Sequence, residues 1–418
     1  MAIVVGQSTT AANTSTGNQS FTVDMGGETP KAALFMLTEA VTDGVVAVHA
    51  VTSIGAADGT RQWSMCHTDR DDWPSSLASH AFDDDLCIRK QIAGSTIDGS
   101  AVFVSFAADT VTVNWNNSLA SANLVTVVAY TGSDLSVYVD SILTGAVVAT
   151  PVDITAPGFE PDILINAGTG FTSKDYQDLG NSHLGFGFVH NDRAGTIVQY
   201  SSDNISRRGQ ATADVKTKAW NNYGLSSHSH SDVQDYNQEF SDFDANGFSM
   251  TPRSTGKAQN MGYLALQFGS TKTNESWVGG IDSPTSTGIT NYTAPGFTPI
   301  YLMTMSNEVA AFDVQEDNNA NAGTLAIGTN TAGSQFSLSN ASENSADPTN
   351  TQSLHDNVSI NMPSNDGTVN FVATLDGFTA TGWDWDFSST DTGTVRKWYG
   401  MAIGPTIPPF PAGWDQSV

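Results

Sequence analysis

The chain has 418 residues, 39% apolar and 14% charged, with 43 acidic against 16 basic side chains and a formal charge of −27. A field of that sign repels phosphate backbones, so the reading is no nucleic acid. No window approaches the ~18 apolar residues of a helical membrane span, so the reading is also no membrane insertion.

Strong self-repulsion calls for a salty medium or bound divalent cations, Ca or Mg, and points to a halophilic or marine source. The nearest approach to a basic patch is Arg207-Arg208 with Lys216 and Lys218. The opening Met1-Ala2-Ile3-Val4-Val5-Gly6 is too short for a secretion h-region of ~7–15 residues. Cys66 and Cys87 permit either a bridge or a pair of core thiols.

Taken in order, residues 7–20 read as a polar lead-in without periodicity. A worn turn phrase follows from Phe21 to Pro30 and leads into the apolar run Ala32 to Leu37. Val45 to Val51 alternates, and Ala101 to Trp115 is rich in Val, Phe and Thr, as strands are. Asp69 to Asp85 reads as a loop, broken by Asp71-Asp72-Trp73-Pro74. Residues 133–152 connect to a second unit, and 134–140 alternates enough to add a strand. The phrase then returns as Thr155-Ala156-Pro157-Gly158-Phe159-Glu160-Pro161, ahead of Ile163 to Ile165. Leu184 to Val189 predicts a strand whose glycines mark close packing. Residues 202–237 read as a long polar loop. The phrase returns again as Thr293-Ala294-Pro295-Gly296-Phe297-Thr298-Pro299, and 340–367 is a second polar excursion. The chain ends in a Pro-rich segment, Pro405 to Trp414, suited to an extended tail.

Four landmarks recur in one order. Pro30, Pro161 and Pro299 stand 131 and 138 residues apart. Gln-aromatic-Ser occurs at Gln62, Gln199 and Gln335, at intervals of 137 and 136. Phe106 to Asp109, Phe243 to Phe248 and Leu375 to Phe378 form a third family. Gly132, Gly269 and Gly404 close each unit. An internal triplication follows. With short strands, turn signals and no helical periodicity, it predicts an all-β chain of three tandem homologous β-sandwich, jelly-roll-like domains with long polar loops. The units are 1–145, 146–285 and 286–418, the last carrying the tail.

Each candidate site has a plainer alternative. His228 and His230 would point the same way on a strand, as metal ligands must, with His183 and His190 in the same unit; solvated loop histidines are the alternative. Asp83, Asp84 and Asp85 offer carboxylates to a cation. So do Asp69, Asp71 and Asp72, and Asp313, Glu316 and Asp317. None matches a calcium-loop spacing. No nucleophile elbow, phosphate loop or paired carboxylate is nominated, so no catalytic residue and no cofactor are expected. Gln62, Gln199 and Gln335 read as satisfying backbone groups at a turn. Trp73, Trp277, Trp383, Trp385 and Trp414 are weighed as sugar platforms. For Trp383 and Trp385, alternating with aspartates on one strand, the core side is the default reading and a glycan or partner contact the alternative.

The best copies of the landmarks are Gly296-Phe297-Thr298-Pro299, Gln335-Phe336-Ser337, Asp376-Gly377-Phe378 and Met401-Ala402-Ile403-Gly404. A unit built of these resembles β-rich domains of tailed-virus surface proteins, of the capsid decoration, turret or tail-fibre type. The resemblance covers nearly the whole chain and implies a non-enzymatic structural protein of a virion. Expected partners are further copies of itself, as a homo-oligomer and most simply a trimer, together with other virion proteins. A host glycan or receptor adhesin, using the loops of the second and third units, is the alternative. Gly158, Phe159 and Pro161, like Gly296, Phe297 and Pro299, are read as the turn that opens each sandwich.

Overall fold

A computed structural model describes residues 3–71, 78–91, 97–170, 172, 174–177, 181–207, 215–228, 234–254, 258–269, 274–316, 325–343, 350–363, 369–391 and 393–406. These residues form 33 strands and no helix. The strands make three seven-stranded and three four-stranded sheets.

The first pair of sheets sets the pattern. Val4–Ala11 pairs with Leu124–Thr131, which pairs with Ala32–Leu37. The sheet continues through Ala50–Ala57, Gln62–Asp69 and Ala78–Asp83. The facing small sheet runs Gly17–Thr22, Thr110–Asn117, Ile97–Ala107 and Ile88–Gln91. Residues 135–268 and 274–406 repeat both orders strand for strand.

The seventh strand of each large sheet comes from a different unit. Asp175–Gln177 of the second unit pairs with Ala78–Asp83 of the first. Gln315–Glu316 of the third pairs with Val215–Trp220 of the second. Ala47–Val48 of the first pairs with Thr351–Asp356 of the third. The exchange therefore closes into a ring.

Why the large sheets lack alternation follows from their position. Ala32–Leu37, Ala50–Ala57 and Leu124–Thr131 are buried at every residue, so both faces are apolar. One face packs on the unit's own small sheet, as Phe35, Leu37 and Cys66 do. The other joins a core shared by all three units: Leu34, Met36 and Met65 meet Phe186, Phe188 and Leu264, and Tyr301, Met303 and Met401. Small sheets show the alternation expected when one face is wet. In Gly382–Ser389, Trp383, Trp385 and Phe387 are buried while Asp384 and Asp386 point outward, which bears out the core placement of both tryptophans.

The recurrent phrase joins the two sheets of a unit. In the second unit it runs from Val152–Ile154 of the small sheet to Ile163–Gly168 of the large one. The Gly158 amide donates to the carbonyls of Thr155 and Asn246, and Gly296 donates likewise to Thr293 and Thr381. Both glycines have positive φ, 70° and 76°, which an L side chain adopts only with strain. Phe297 is buried in its unit's core and Phe159 packs partly buried on the equivalent one. Pro161 and Pro299 are buried two residues ahead of their strands. Two strands of each unit precede the phrase, so it is a crossing between sheets and not the opening turn.

Several polar segments expected to be loops are strands. Residues 7–20 contribute to Val4–Ala11 and Gly17–Thr22. The described part of the 202–237 stretch lies largely in Ile197–Arg207, Val215–Trp220, Leu225–His228 and Gln234–Asp244. The 340–367 stretch includes Gln335–Ser342, Thr351–Asp356 and Ile360–Pro363. Ala78–Asp83 occupies part of the expected Asp69 to Asp85 loop. Leu135–Leu143 and Asn274–Asp282, expected near the ends of the first and second units, pair into the second and third large sheets. Residues 407–418, the greater part of the Pro-rich tail, lie outside the described residues.

One glycine in each unit governs how closely its two sheets approach. A Cβ on Gly55, Gly187 or Gly328 would collide with the carbonyl oxygen of Cys87, Gly224 or Ser359 in turn. The close packing predicted around Leu184 to Val189 is therefore present at Gly187. Gly187→Ala is expected to destabilise the protein by about 1–3 kcal/mol, read as a lower urea midpoint at unchanged slope, because backbone must move on both sheets.

Candidate functional site

The landmark glutamines explain themselves once the sheets are in place. Each stands at the start of a large-sheet strand and reaches the small sheet behind it. The Gln62 side-chain oxygen accepts from the Phe103 amide at 2.7 Å, Gln199 from Phe240 at 2.9 Å, and Gln335 from Leu375 at 2.7 Å. Each of those amides sits at a β-bulge, where the ladder to the neighbouring strand shifts register. The glutamine supplies the acceptor that the bulge removes. Backbone satisfaction is thus their role, at a bulge of the facing sheet and not at the turn expected. Gln199→Leu would leave a buried N–H without its acceptor, and a loss of about 1–3 kcal/mol in chemical denaturation is expected.

Counting on from these glutamines locates the contacts between units. One residue on are Trp63, Tyr200 and Phe336. Trp63 reaches the second unit, where its Nε1 donates to the Tyr263 carbonyl at 3.1 Å. Tyr200 stacks on Tyr399 of the third. Seven residues on are Asp69, Ser206 and Ser342, and these three converge. Ser206 Oγ donates to Asp69 Oδ2 at 2.7 Å, and the Ser342 side chain hydrogen-bonds the same carboxyl. Complete burial pushes the Asp69 carboxyl up to about 7, against the Ser206 bond, the Arg70 amide and the Ser342 bond, all of which favour its charged form. The third seam closes on the first unit: Gln7 Nε2 donates to the Ser334 carbonyl at 2.8 Å, and His355 Nε2 meets Thr126 Oγ1 at 2.8 Å.

Two open grooves of mixed chemistry flank the turn Thr331 to Ser334. A groove of about 540 Å³ is lined by Gln335, Phe336, Asn357, Leu375, Asp376 and Phe378, among others. A second, of about 530 Å³, lies on the other side of the turn against Val4 to Gln7 and Asp24 of the first unit. Asp376 is the one carboxylate on the first groove, so the described residues there offer contact to a ligand and no acid–base pair. Two sequence landmarks, Gln335-Phe336 and Asp376-Gly377-Phe378, meet at this groove.

The remaining candidates are dispersed. His228 ends the strand Leu225–His228, and its side chain, with all of His230, lies outside the described residues. Asp83, Asp84 and Asp85 do cluster, with ligand atoms within 4.8 Å of one another. Two of the three are met by the chain's own cations: Arg89 donates to Asp83 at 3.0 Å, and Lys174 of the second unit pairs with Asp84. Asp69 and Asp71 face other units, Asp71 accepting from the Thr351 amide at 2.8 Å. Of the third acidic group, Asp313 is described, Glu316 lies in the exchanged strand, and Asp317 lies outside the described residues. Trp277 is partly buried against Trp383, while Trp73 and Trp414 lie outside the described residues. Cys66 and Cys87 are free, buried thiols, and burial pushes Cys66 up to about 12.

No family model, no curated protein and no solved structure matches the chain.

Proposed function

We propose that the chain is a non-enzymatic structural protein exposed on the particle of a tailed virus, on the capsid or the tail. The three units are read as homologous jelly-roll-like sandwiches, because in each the first strand pairs with the last and the second with the penultimate. The observation that carries the proposal is the closed strand exchange around one shared core. Each unit covers a sheet edge of its neighbour, which blunts the edges that would otherwise template aggregation. The cyclic contact expected between three copies is met inside one chain, so the ring is read as a trimer equivalent in a single polypeptide. Particles exposed outside a cell gain from such cohesion, and the sequence resemblance points the same way. Antibody raised against the purified chain, imaged on particles from the source host, tests the assignment. Labelled capsids or tails are expected; label on cells with bare particles would overturn it.

The groove beside Thr331 to Ser334 supports a second reading, a glycan- or receptor-binding adhesin. Its rings Phe336 and Phe378 with Asn357 and Asp376 combine apolar faces and hydrogen-bonding groups, as sugar contacts do. Binding on a glycan array that is lost in Phe378→Ala would favour this reading, and silence across the array would leave the architectural one alone.

A further inference from the structure

The first unit gathers an amine, a carboxamide and two carboxylates between its two sheets. Lys90 lies on the small-sheet strand Ile88–Gln91, and Asn123 stands immediately ahead of the large-sheet strand Leu124–Thr131. Lys90 is 1% exposed and Asn123 is fully buried. Lys90 Nζ donates to Asn123 Oδ1 at 3.1 Å and to Glu39 Oε1 at 3.0 Å, and lies 2.8 Å from Asp98 Oδ2. Asn123 Nδ2 in turn donates to the main-chain carbonyl of Glu39 at 2.6 Å. Glu39 therefore holds the amine with its side chain and the amide nitrogen with its backbone.

The other units keep the place but not the chemistry. Lys90 is the third residue of its strand, where Leu225–His228 carries Ser227 and Ile360–Pro363 carries Met362. The residue ahead of the last large-sheet strand, Asn123 in the first unit, is Gln259 in the second and Arg396 in the third. The third unit answers its own glutamate with that arginine, Arg396 Nε lying 3.1 Å from Glu308 Oε2. A guanidinium holds a carboxylate without ever becoming a nucleophile, so an ion pair is enough for the fold here. Only the first unit sets a lysine amine against a carboxamide.

We infer that Lys90 and Asn123 join in an isopeptide bond, a self-made covalent staple between the two sheets of the first unit. The Lys90 ammonium passes a proton to the Glu39 carboxylate, and the freed lone pair of Nζ attacks Asn123 Cγ. That carbon is one bond beyond the oxygen Nζ already touches, so the reactants are held close to attack. The Nζ–Cγ bond forms and the Cγ–Nδ2 bond breaks. Nδ2 takes a second proton from Nζ and the one Glu39 held, and departs as ammonium. One ammonium and one carboxamide thus give one secondary amide and one ammonium ion, and Glu39 ends as the carboxylate it began as.

Asp98 serves as a positioning residue, holding the amine beside the amide from the strand Ile97–Ala107. Burial of both reacting side chains keeps water from competing with Nζ for the carbonyl carbon. The bond closes a stretch of chain between positions 33 residues apart, and it constrains the unfolded chain as a disulfide would. Cys66 and Cys87 of the same unit are free thiols and supply no such tie.

Mass spectrometry of the full chain tests the bond. The wild type is expected to weigh about 17 Da less than its sequence, one ammonia, and its digest to contain a branched peptide joining Lys90 to Asn123. Lys90→Met, which installs the residue of the third unit, and Asn123→Ala are each expected to return to the sequence mass. Glu39→Gln is expected to stay unlinked, and Asp98→Asn to link more slowly. A wild type with Lys90 and Asn123 in separate linear peptides would overturn the inference. So would a loss of about 18 Da with Lys90 joined to Glu39 or Asp98, one water in place of ammonia. An ammonia loss that survives Lys90→Met would mark a cyclised asparagine and sink the staple. A Glu39→Gln chain that links fully would overturn the proton route. The digest reads the wild-type chain, so the decision stands even if a variant does not fold.

Discussion

Trp63→Ala is expected to cost about 3–5 kcal/mol, among the largest losses any single truncation in this chain would produce. The ring is fully buried and belongs to the shared core, not to the core of its own unit. It lies flat on Phe82, with centroids 6.5 Å apart at 7°, and against Gly262 of the second unit, where a Cβ would strike the indole. Truncation removes that contact, opens a cavity between two units and withdraws the donor from the Tyr263 carbonyl. Trp63→Phe, which installs the residue type of the third unit at that position, is expected to lose about 1–2 kcal/mol, since most of the ring contact survives. Urea midpoints of the two variants give the comparison. Equal, small losses would mean that the first seam does not depend on this side chain.

Interlocking of that kind explains what the sequence disclosed and what it hid. The strand order that recurs three times was legible because turn chemistry repeats. Gly158 and Gly296 need positive φ, and Gln62, Gln199 and Gln335 each serve a bulge, so both signals survive at fixed intervals. Buried apolar runs such as Ala32–Leu37 were legible for the same local reason. The segment Ser202-Asp203-Asn204 was not: its polarity reads as a surface loop, yet all three residues are buried. A polar strand lies inside only when partners satisfy it: Ser202 donates to the Lys218 carbonyl of its own unit at 3.2 Å, and other partners come from a unit over a hundred residues away. Ser202 meets Asn307 of the third unit, for example. Exchanged strands were invisible for another reason. Two or three residues such as Ala47–Val48 are too short to show any period. At the grooves the landmarks Gln335-Phe336 and Asp376-Gly377-Phe378 stood out singly, and only the fold brings them together.

Asp69→Asn is expected to stabilise the protein at alkaline pH and to lose that advantage in acid. The carboxyl lies where equivalent positions of three units converge, and the other two units place serine there. Its ordinary value in an unfolded chain is 3.8, and burial raises it to about 7. The folded state therefore keeps a proton that the unfolded state gives up, and the stability held below pH ~4 is lost as pH rises through about 7. A rise of about 3 units corresponds to a loss on the order of 4 kcal/mol once both states are ionised. Asparagine keeps the shape and still accepts from Ser206, but it carries no charge at any pH. Unfolding free energies at pH 8.5 should then favour the variant by up to that amount, with the two curves converging near pH 4. A difference that stays flat from pH 4 to 8.5 would show that Asp69 is charged in the folded ring, and that Ser206 and Ser342 solvate it better than burial penalises it.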